Sequence, residues 1–215
     1  MASCVVFCAG GFDRLITTPA ETDYIIAADG GYRHTEALGL QPTAVLGDFD
    51  SLGYVPKGAE LFPVEKDDTD AMLAARHGLA LGYRHFLFYG ALDGARLDHT
   101  VANFQTLQFL ADRKATGYLV GLSQIVTVVQ NGTLRFPKGF TGNVSVFCLG
   151  TPAKGVTLQG LHYSLEQGVL TPDFPLGVSN SFVGEKSAVQ VEEGSLFVIY
   201  DRHNGVEGVV HETQK

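Results

Sequence analysis

The chain is poor in positive charge: 15 Lys and Arg stand against 23 Asp and Glu in 215 residues, a formal net charge of −8. That balance argues against a nucleic-acid surface or a face for anionic lipid, both of which need clustered cations. It leaves a nucleotide substrate open, because Mg²⁺ brings phosphates to carboxylates. The three cysteines, Cys4, Cys8 and Cys148, are an odd number without metal-ligand spacing, and they read as small buried thiols in a reducing cytoplasm. No apolar run approaches the length of a membrane span. The stretch Met1–Ala9 lacks a basic region, and Gly10-Gly11 cuts its apolar run short, so it reads as a first strand and not as a signal peptide. Neither G-x-G-x-x-G nor G-x-x-x-x-G-K-[ST] occurs, so a nucleoside triphosphate, if bound, is bound without a P-loop. There is no internal repeat, no Pro- or Ser-rich linker and no tryptophan. What remains, 45% hydrophobic and 18% charged, is ordinary for a soluble globular protein of one large or two small domains.

Up to about Gln124, short apolar runs alternate with helical patterns. The runs Cys4–Ala9, Tyr24–Ala28, Ala44–Leu46, Leu61–Val64, His85–Tyr89 and Gly117–Leu122 suit buried strands. Helices are expected over Tyr32–Leu38, Ala71–Leu81 and Thr100–Asp112, the first two closed by Gly39 and Gly82. This alternation predicts a mostly parallel α/β sheet. From 125 onward the helical periods stop. Short runs at Ile125–Val129, Thr133–Phe136, Asn143–Leu149, Gly155–Leu158, Leu161–Leu165, Val189–Val191 and Ser195–Tyr200 are parted by turn signals such as Gln130-Asn131-Gly132. They predict a β-sandwich. The expected organisation is α/β: an N-terminal, mostly parallel sheet domain over 1–124, then a β-sandwich domain over 125–215.

The chemistry gathers where strands hand over to helices. Ala44-Val45-Leu46-Gly47 runs into Asp48-Phe49-Asp50-Ser51. Residues two apart in an extended chain point the same way, which puts Asp48 and Asp50 together as a pair for Mg²⁺; the plainer reading is a polar turn. Lys66-Asp67-Asp68-Thr69-Asp70 crowds carboxylates before the next helix. Capping accounts for one or two of them; Asp70 is the preferred metal ligand, with Asp67 and Asp68 acting through water. Asp29-Gly30-Gly31 sets a carboxylate beside glycines that permit close approach of a ligand, or simply a turn. Arg96-Leu97-Asp98-His99 with Asn103 offers a guanidinium for phosphate oxygens and a carboxylate to accept a proton; the plainer reading is an N-capped helix with a surface arginine. In an open α/β sheet these junctions share one edge and converge.

Taken in order, Asp29-Gly30-Gly31, Gly47–Ser51, Lys66–Asp70 and Gly94–His99 with Asn103, followed by Gly155–Leu165 and Gly177–Phe182, resemble thiamine pyrophosphokinase (thiamine diphosphokinase). The resemblance covers nearly the whole chain. It implies a nucleotide-binding α/β domain, a β-sandwich, and a cytoplasmic homodimer with thiamine bound between subunits. It implies the reaction ATP + thiamine → AMP + thiamine diphosphate, with the thiamine hydroxyl attacking the β-phosphorus. Carried over, Asp48, Asp50 and Asp70 hold Mg²⁺. Asp29, Gly30, Gly31, Asp48, Arg96, His99 and Asn103 meet ATP, and Ser179, Asn180 and Phe182 meet thiamine. Asp98 orients or deprotonates the hydroxyl, with Asp70 second; Arg96 and Asp29 complete the reacting centre. Two features depart from the family. Without tryptophan, Phe182 or Tyr163 must serve as the stacking ring, and Gly121–Gln124 is less polar than the family's acidic inter-domain segment.

Other classes predict different products. The Asp48-x-Asp50 pair also suits a Mg²⁺-dependent phosphatase with an aspartate nucleophile, which releases phosphate without thiamine and makes no AMP. A D-x-D glycosyltransferase needs a nucleotide-sugar donor. A non-catalytic thiamine- or nucleotide-binding protein binds without turnover.

Overall fold

A computed structural model describes residues 2–47, 49, 52–56, 60, 61 and 68–213, with the side chains of 60 and 61 left out. The chain divides into two compact units, Met1–Leu122 and Ser123–Lys215.

The first unit holds strands β1 (Cys4–Phe7), β2 (Tyr24–Ala28), β3 (Ala44–Gly47), β4 (Glu60–Leu61), β5 (His85–Tyr89) and β6 (Thr116–Val120), with helices α1 (Tyr32–Ala37), α2 (Asp70–Ala80) and α3 (Leu97–Ala111). All its pairings are parallel, in the order β6-β5-β1-β2-β3-β4. The strands read as unbroken apolar runs because both faces are covered. Phe7, Ile26, Leu46, Phe86, Phe88, Tyr89, Tyr118 and Leu119 are fully buried, each contributing about 1.5–3 kcal/mol. Strand and helix boundaries fall within a few residues of the expected ones. The run expected at Leu61–Val64 appears as the two-residue β4; 62–67 lie outside the described residues.

The chain steps outward from β1 through β2, β3 and β4, then returns to lay β5 on the other flank of β1. Such a reversal of direction opens a crevice at the carboxyl ends of the two central strands. The backbone after β2 is drawn tightly into that region. Asp29 takes a left-handed φ of 47°, which a short polar side chain tolerates, and Asp29–Gly31 form a single 3-10 turn. Gly31 is required by closeness, not by its dihedral angle: a Cβ there would collide with the Phe7 carbonyl oxygen.

The second unit is antiparallel: β7 (Gln124–Phe136), β8 (Asn143–Phe147), β9 (Ala153–Gln159), β10 (Leu165–Leu170), β11 (Asn180–Ser181), β12 (Ser187–Asp201) and β13 (Val210–Thr213). The long β12 pairs with β7 along its length, with β9 near its start and with β8 near its end. Here the expected division into short strands is corrected. The Gln130-Asn131-Gly132 signal does not reverse the chain. Asn131 adopts φ 41°, its Oδ1 accepts from Gly194 N–H at 2.8 Å, and the register shifts between Val191 and Ser195. The turn-forming residues therefore build a bulge that bends two continuous strands. Among the described residues no helix is long and apolar enough to cross a membrane.

Gly31→Ala is expected to destabilise the chain by about 2 kcal/mol in urea unfolding, because backbone must move to admit the methyl group. Gly39→Ala has open space and a φ of +66°, and should lose only about 1 kcal/mol. Equal losses at the two positions would contradict the close-approach argument.

Candidate active site

The crevice at the β1/β5 switch is a cavity of about 530 Å³ lined by Cys8–Gly10, Ala28-Asp29, Asp68–Ala71, Gly90-Ala91 and Gly94–Arg96 with His99, Thr100 and Asn103. Its floor is two glycine turns set against each other. Gly10 N–H donates to Gly90 O at 2.8 Å, and Cys8 N–H to Tyr89 O at 2.8 Å. A Cβ on Gly10 would stand 2.5 Å from Gly90 O. The turn is also held from α1: His34 Nε2 lies 3.0 Å from Gly10 O, and since a carbonyl only accepts, that nitrogen carries the proton.

Among the described residues three carboxylates share the cavity. Asp29 is 7% exposed. Asp68 and Asp70 flank Thr69, whose Oγ1 accepts from Met72 N–H at 3.2 Å and caps α2. Asp70 thus sits in the first helical turn, where a negative charge is favoured. Asp68 Oδ2 is 3.2 Å from Arg76 Nε. The Cys8 thiol is pushed up to about 12, by burial first and by the Asp70 charge second. It therefore remains protonated and offers no thiolate. Oxygen donors beside a neutral thiol suit a hard cation such as Mg²⁺ and not a thiophilic metal. Among the described residues no group of three His, Cys, Asp or Glu side chains could hold a metal by itself.

Asp48 and Asp50 lie outside the described residues. Phe49 between them has φ 60° and is buried beside Ala27, Val45 and Leu52.

On the other wall, Asn103 is buried and its Nδ2 donates to Ala91 O at 2.6 Å. Its amide fastens the loop that follows β5. Arg96, the residue before α3, lines the cavity with a side chain 67% exposed. It makes a two-point contact with Asp98, Nε to Oδ1 at 3.2 Å and Nη2 to Oδ2 at 2.6 Å. The hydrogen bond from Arg96 is the largest cause holding the Asp98 carboxyl below the usual carboxylate range. Asp98 is not among the lining residues and is paired with Arg96. His99 lines the cavity and is exposed.

In the second unit the expected thiamine residues divide by burial. Ser179 is exposed at φ 61°, its N–H donating to Ser145 Oγ at 3.0 Å. Asn180 is buried and clamps Tyr163, accepting from its N–H at 2.9 Å and donating to its carbonyl at 2.7 Å. Phe182 is buried at 6% exposure, with its centroid 5.0 Å from Phe136 and 5.4 Å from Phe140. Tyr163, at 63% exposure, is the aromatic left facing outward there. Sequence reasoning missed Cys8, Gly10 and Gly90 as cavity residues. Their signal was present in the glycines that end two adjacent strands.

A family model described as thiamin pyrophosphokinase, catalytic domain, matches residues 17–119, and another, thiamin pyrophosphokinase, vitamin B1 binding domain, matches residues 131–196. Among solved structures, a thiamine pyrophosphokinase from Bacillus subtilis is 22% identical with a TM-score of 0.80, covering 100% of both chains. A thiamin pyrophosphokinase family protein from Enterococcus faecalis is 25% identical with a TM-score of 0.77, again over 100% of both chains. Thiamin pyrophosphokinase from Candida albicans is 16% identical with a TM-score of 0.73, over 93% of this chain and 88% of that one. No curated protein sequence matches the chain.

A carboxylate whose pKa is depressed on folding contributes stability above its unfolded value of about 3.9, lost as pH falls through the folded value. By NMR, Asp98 should titrate below the ordinary aspartate range, and Arg96→Gln should move it back up. A wild-type midpoint at or above the ordinary range would contradict the pairing.

Proposed function

The chain belongs to the thiamin pyrophosphokinase family, and from that premise we propose how its residues share the reaction. It is a thiamine diphosphokinase, transferring the diphosphate group of ATP to the hydroxyl of thiamine and giving thiamine diphosphate and AMP. The observation that carries the residue assignment is the cavity at the β1/β5 switch, where Asp29, Asp68 and Asp70 share one space with Arg96 and Asn103. A triphosphate needs positive charge around its oxygens and carboxylates to manage cation and proton.

In this reading the first domain, 1–124, binds ATP and the second, 125–215, is a β-sandwich that binds thiamine and dimerises. Arg96 meets the phosphates as the hydroxyl oxygen bonds to the β-phosphorus. The bond from that phosphorus to the bridging oxygen breaks, and AMP leaves with the electron pair. Asp70, with Asp48 and Asp50, holds Mg²⁺, which when bound neutralises phosphate charge. The hydroxyl proton goes to Asp29, supported by its place in the cavity wall. Asp98 keeps Arg96 aimed, supported by their two-point contact. His99 and Asn103 line the nucleotide's site, and Gly31 holds the Asp29 turn against the end of β1.

Ser179, Asn180 and the exposed Tyr163 form the thiamine face, with Phe182 supporting it from the core. Thiamine's cationic ring suits an aromatic contact of about 1–2 kcal/mol. The second unit also exposes Leu149, Phe174, Leu176 and Val183. Exposed apolar side chains of this kind suit a partner surface, and we assign the partner as a second copy, with thiamine at the interface. A cytoplasmic location is supported by three free, buried cysteines. An aspartate-nucleophile phosphatase leaves the second unit without a role.

Steady-state kinetics separate the carboxylates. Asp29→Asn is expected to lower kcat by about 10²–10⁴, and Asp70→Asn to lower turnover and raise the Mg²⁺ requirement. Asp98→Asn should chiefly raise KM for ATP. If Asp98→Asn instead abolishes kcat while Asp29→Asn leaves it intact, the proton acceptor is Asp98.

A further inference from the structure

We propose that Asp93 is a positioning residue for the diphosphate transfer, tying the Arg96-bearing segment to the ends of two other strands. Its backbone carbonyl accepts from Gly11 N–H at 2.7 Å. Its carboxylate Oδ2 accepts from Leu122 N–H at 2.6 Å. Gly11 follows β1, Leu122 follows β6, and Asp93 itself follows β5. One residue thus joins the carboxyl-end loops of three parallel strands that lie side by side.

The junction is close-packed as well as hydrogen-bonded. A Cβ on Gly11 would stand 2.7 Å from Asp93 O and 3.4 Å from Leu122 Cδ1. A carboxylate accepting from a backbone N–H makes a short, strong bond, as found here. From the α3 side, Asn103 grips the same loop at Ala91 O. The loop is therefore fastened on both sides of Leu92, and Arg96 follows only three residues after the second fastening. Neither Asp93 nor Leu122 lines the cavity, so the residue acts through Arg96 and not on the substrate. A small displacement of a charged group at a phosphoryl centre has large kinetic consequences. The proposal rests on the reading of this cavity as the ATP site.

The test uses the full chain. By amide hydrogen exchange, the Leu122 N–H of the wild type is expected to be protected although the residue is 46% exposed, and to lose that protection in Asp93→Ala. The same variant should raise KM for ATP on the order of tenfold while leaving KM for thiamine unchanged. Asp93→Asn, which keeps an acceptor oxygen, should recover most of the loss. In an Arg96→Ala background, Asp93→Ala should add nothing further to KM for ATP. An unprotected Leu122 amide in the wild type overturns the latch, whatever the variants do. Unchanged KM for ATP in Asp93→Ala, or full additivity with Arg96→Ala, overturns its action through Arg96. A wild-type protein with a protected Leu122 amide that shows no saturation by ATP overturns the ATP assignment of the cavity, and this role with it.

Discussion

At the carboxyl ends of β1 and β5 two glycine backbones meet at hydrogen-bond distance, Gly10 N–H donating to Gly90 O at 2.8 Å, and the cavity is built around that contact. Parallel strands laid down in opposite directions from β1 diverge where they end. The turns that follow must close the floor of the crevice without filling it. Side chains at Gly10 or Gly90 would strike the opposite backbone. Gly31 lets the Asp29 turn approach the end of β1 in the same way. Once these backbones lie close, Asp29, Asp70 and Arg96 arrive at one space from segments far apart in sequence.

The second organising feature is charge. Three carboxylates in one cavity repel one another in a medium less polar than water. The structure answers this in pieces: Asp68 lies against Arg76, Asp70 occupies the first turn of a helix, and Arg96 stands at the mouth bound to Asp98. In the proposed reaction a cation and a triphosphate would complete this arrangement, each supplying the charge that the other and the protein lack. The acidic net charge of the chain is thus compatible with an anionic substrate.

Much of the first unit was legible in the sequence, because buried parallel strands read as continuous apolar runs and their helices close on glycine. His85–Tyr89 and Tyr24–Ala28 fall where the pattern puts them. That Asp29, Asp68 and Asp70, from junctions far apart in sequence, line one cavity also followed from topology. The geometry within the site did not. Asp98 has the residue type of a base, and its two-point contact with Arg96 two positions away is one that no periodicity reports. Phe182 has the type of a stacking ring, but whether an aromatic faces a ligand or the core depends on Phe136 and Phe140, which are distant in sequence. Asn131-Gly132 carries the signature of a hairpin turn and instead bends a strand, because the bulge opposite it at Glu193-Gly194 takes up the left-handed residue.

The central claim is that one cavity transfers a diphosphate, and not a single phosphoryl group, to thiamine. Chromatography of nucleotides and thiamine esters after incubating the purified chain with ATP, Mg²⁺ and thiamine tests it most directly. AMP and thiamine diphosphate formed in equal amounts is the predicted result. ADP with thiamine monophosphate, or phosphate release that does not depend on thiamine, would contradict it.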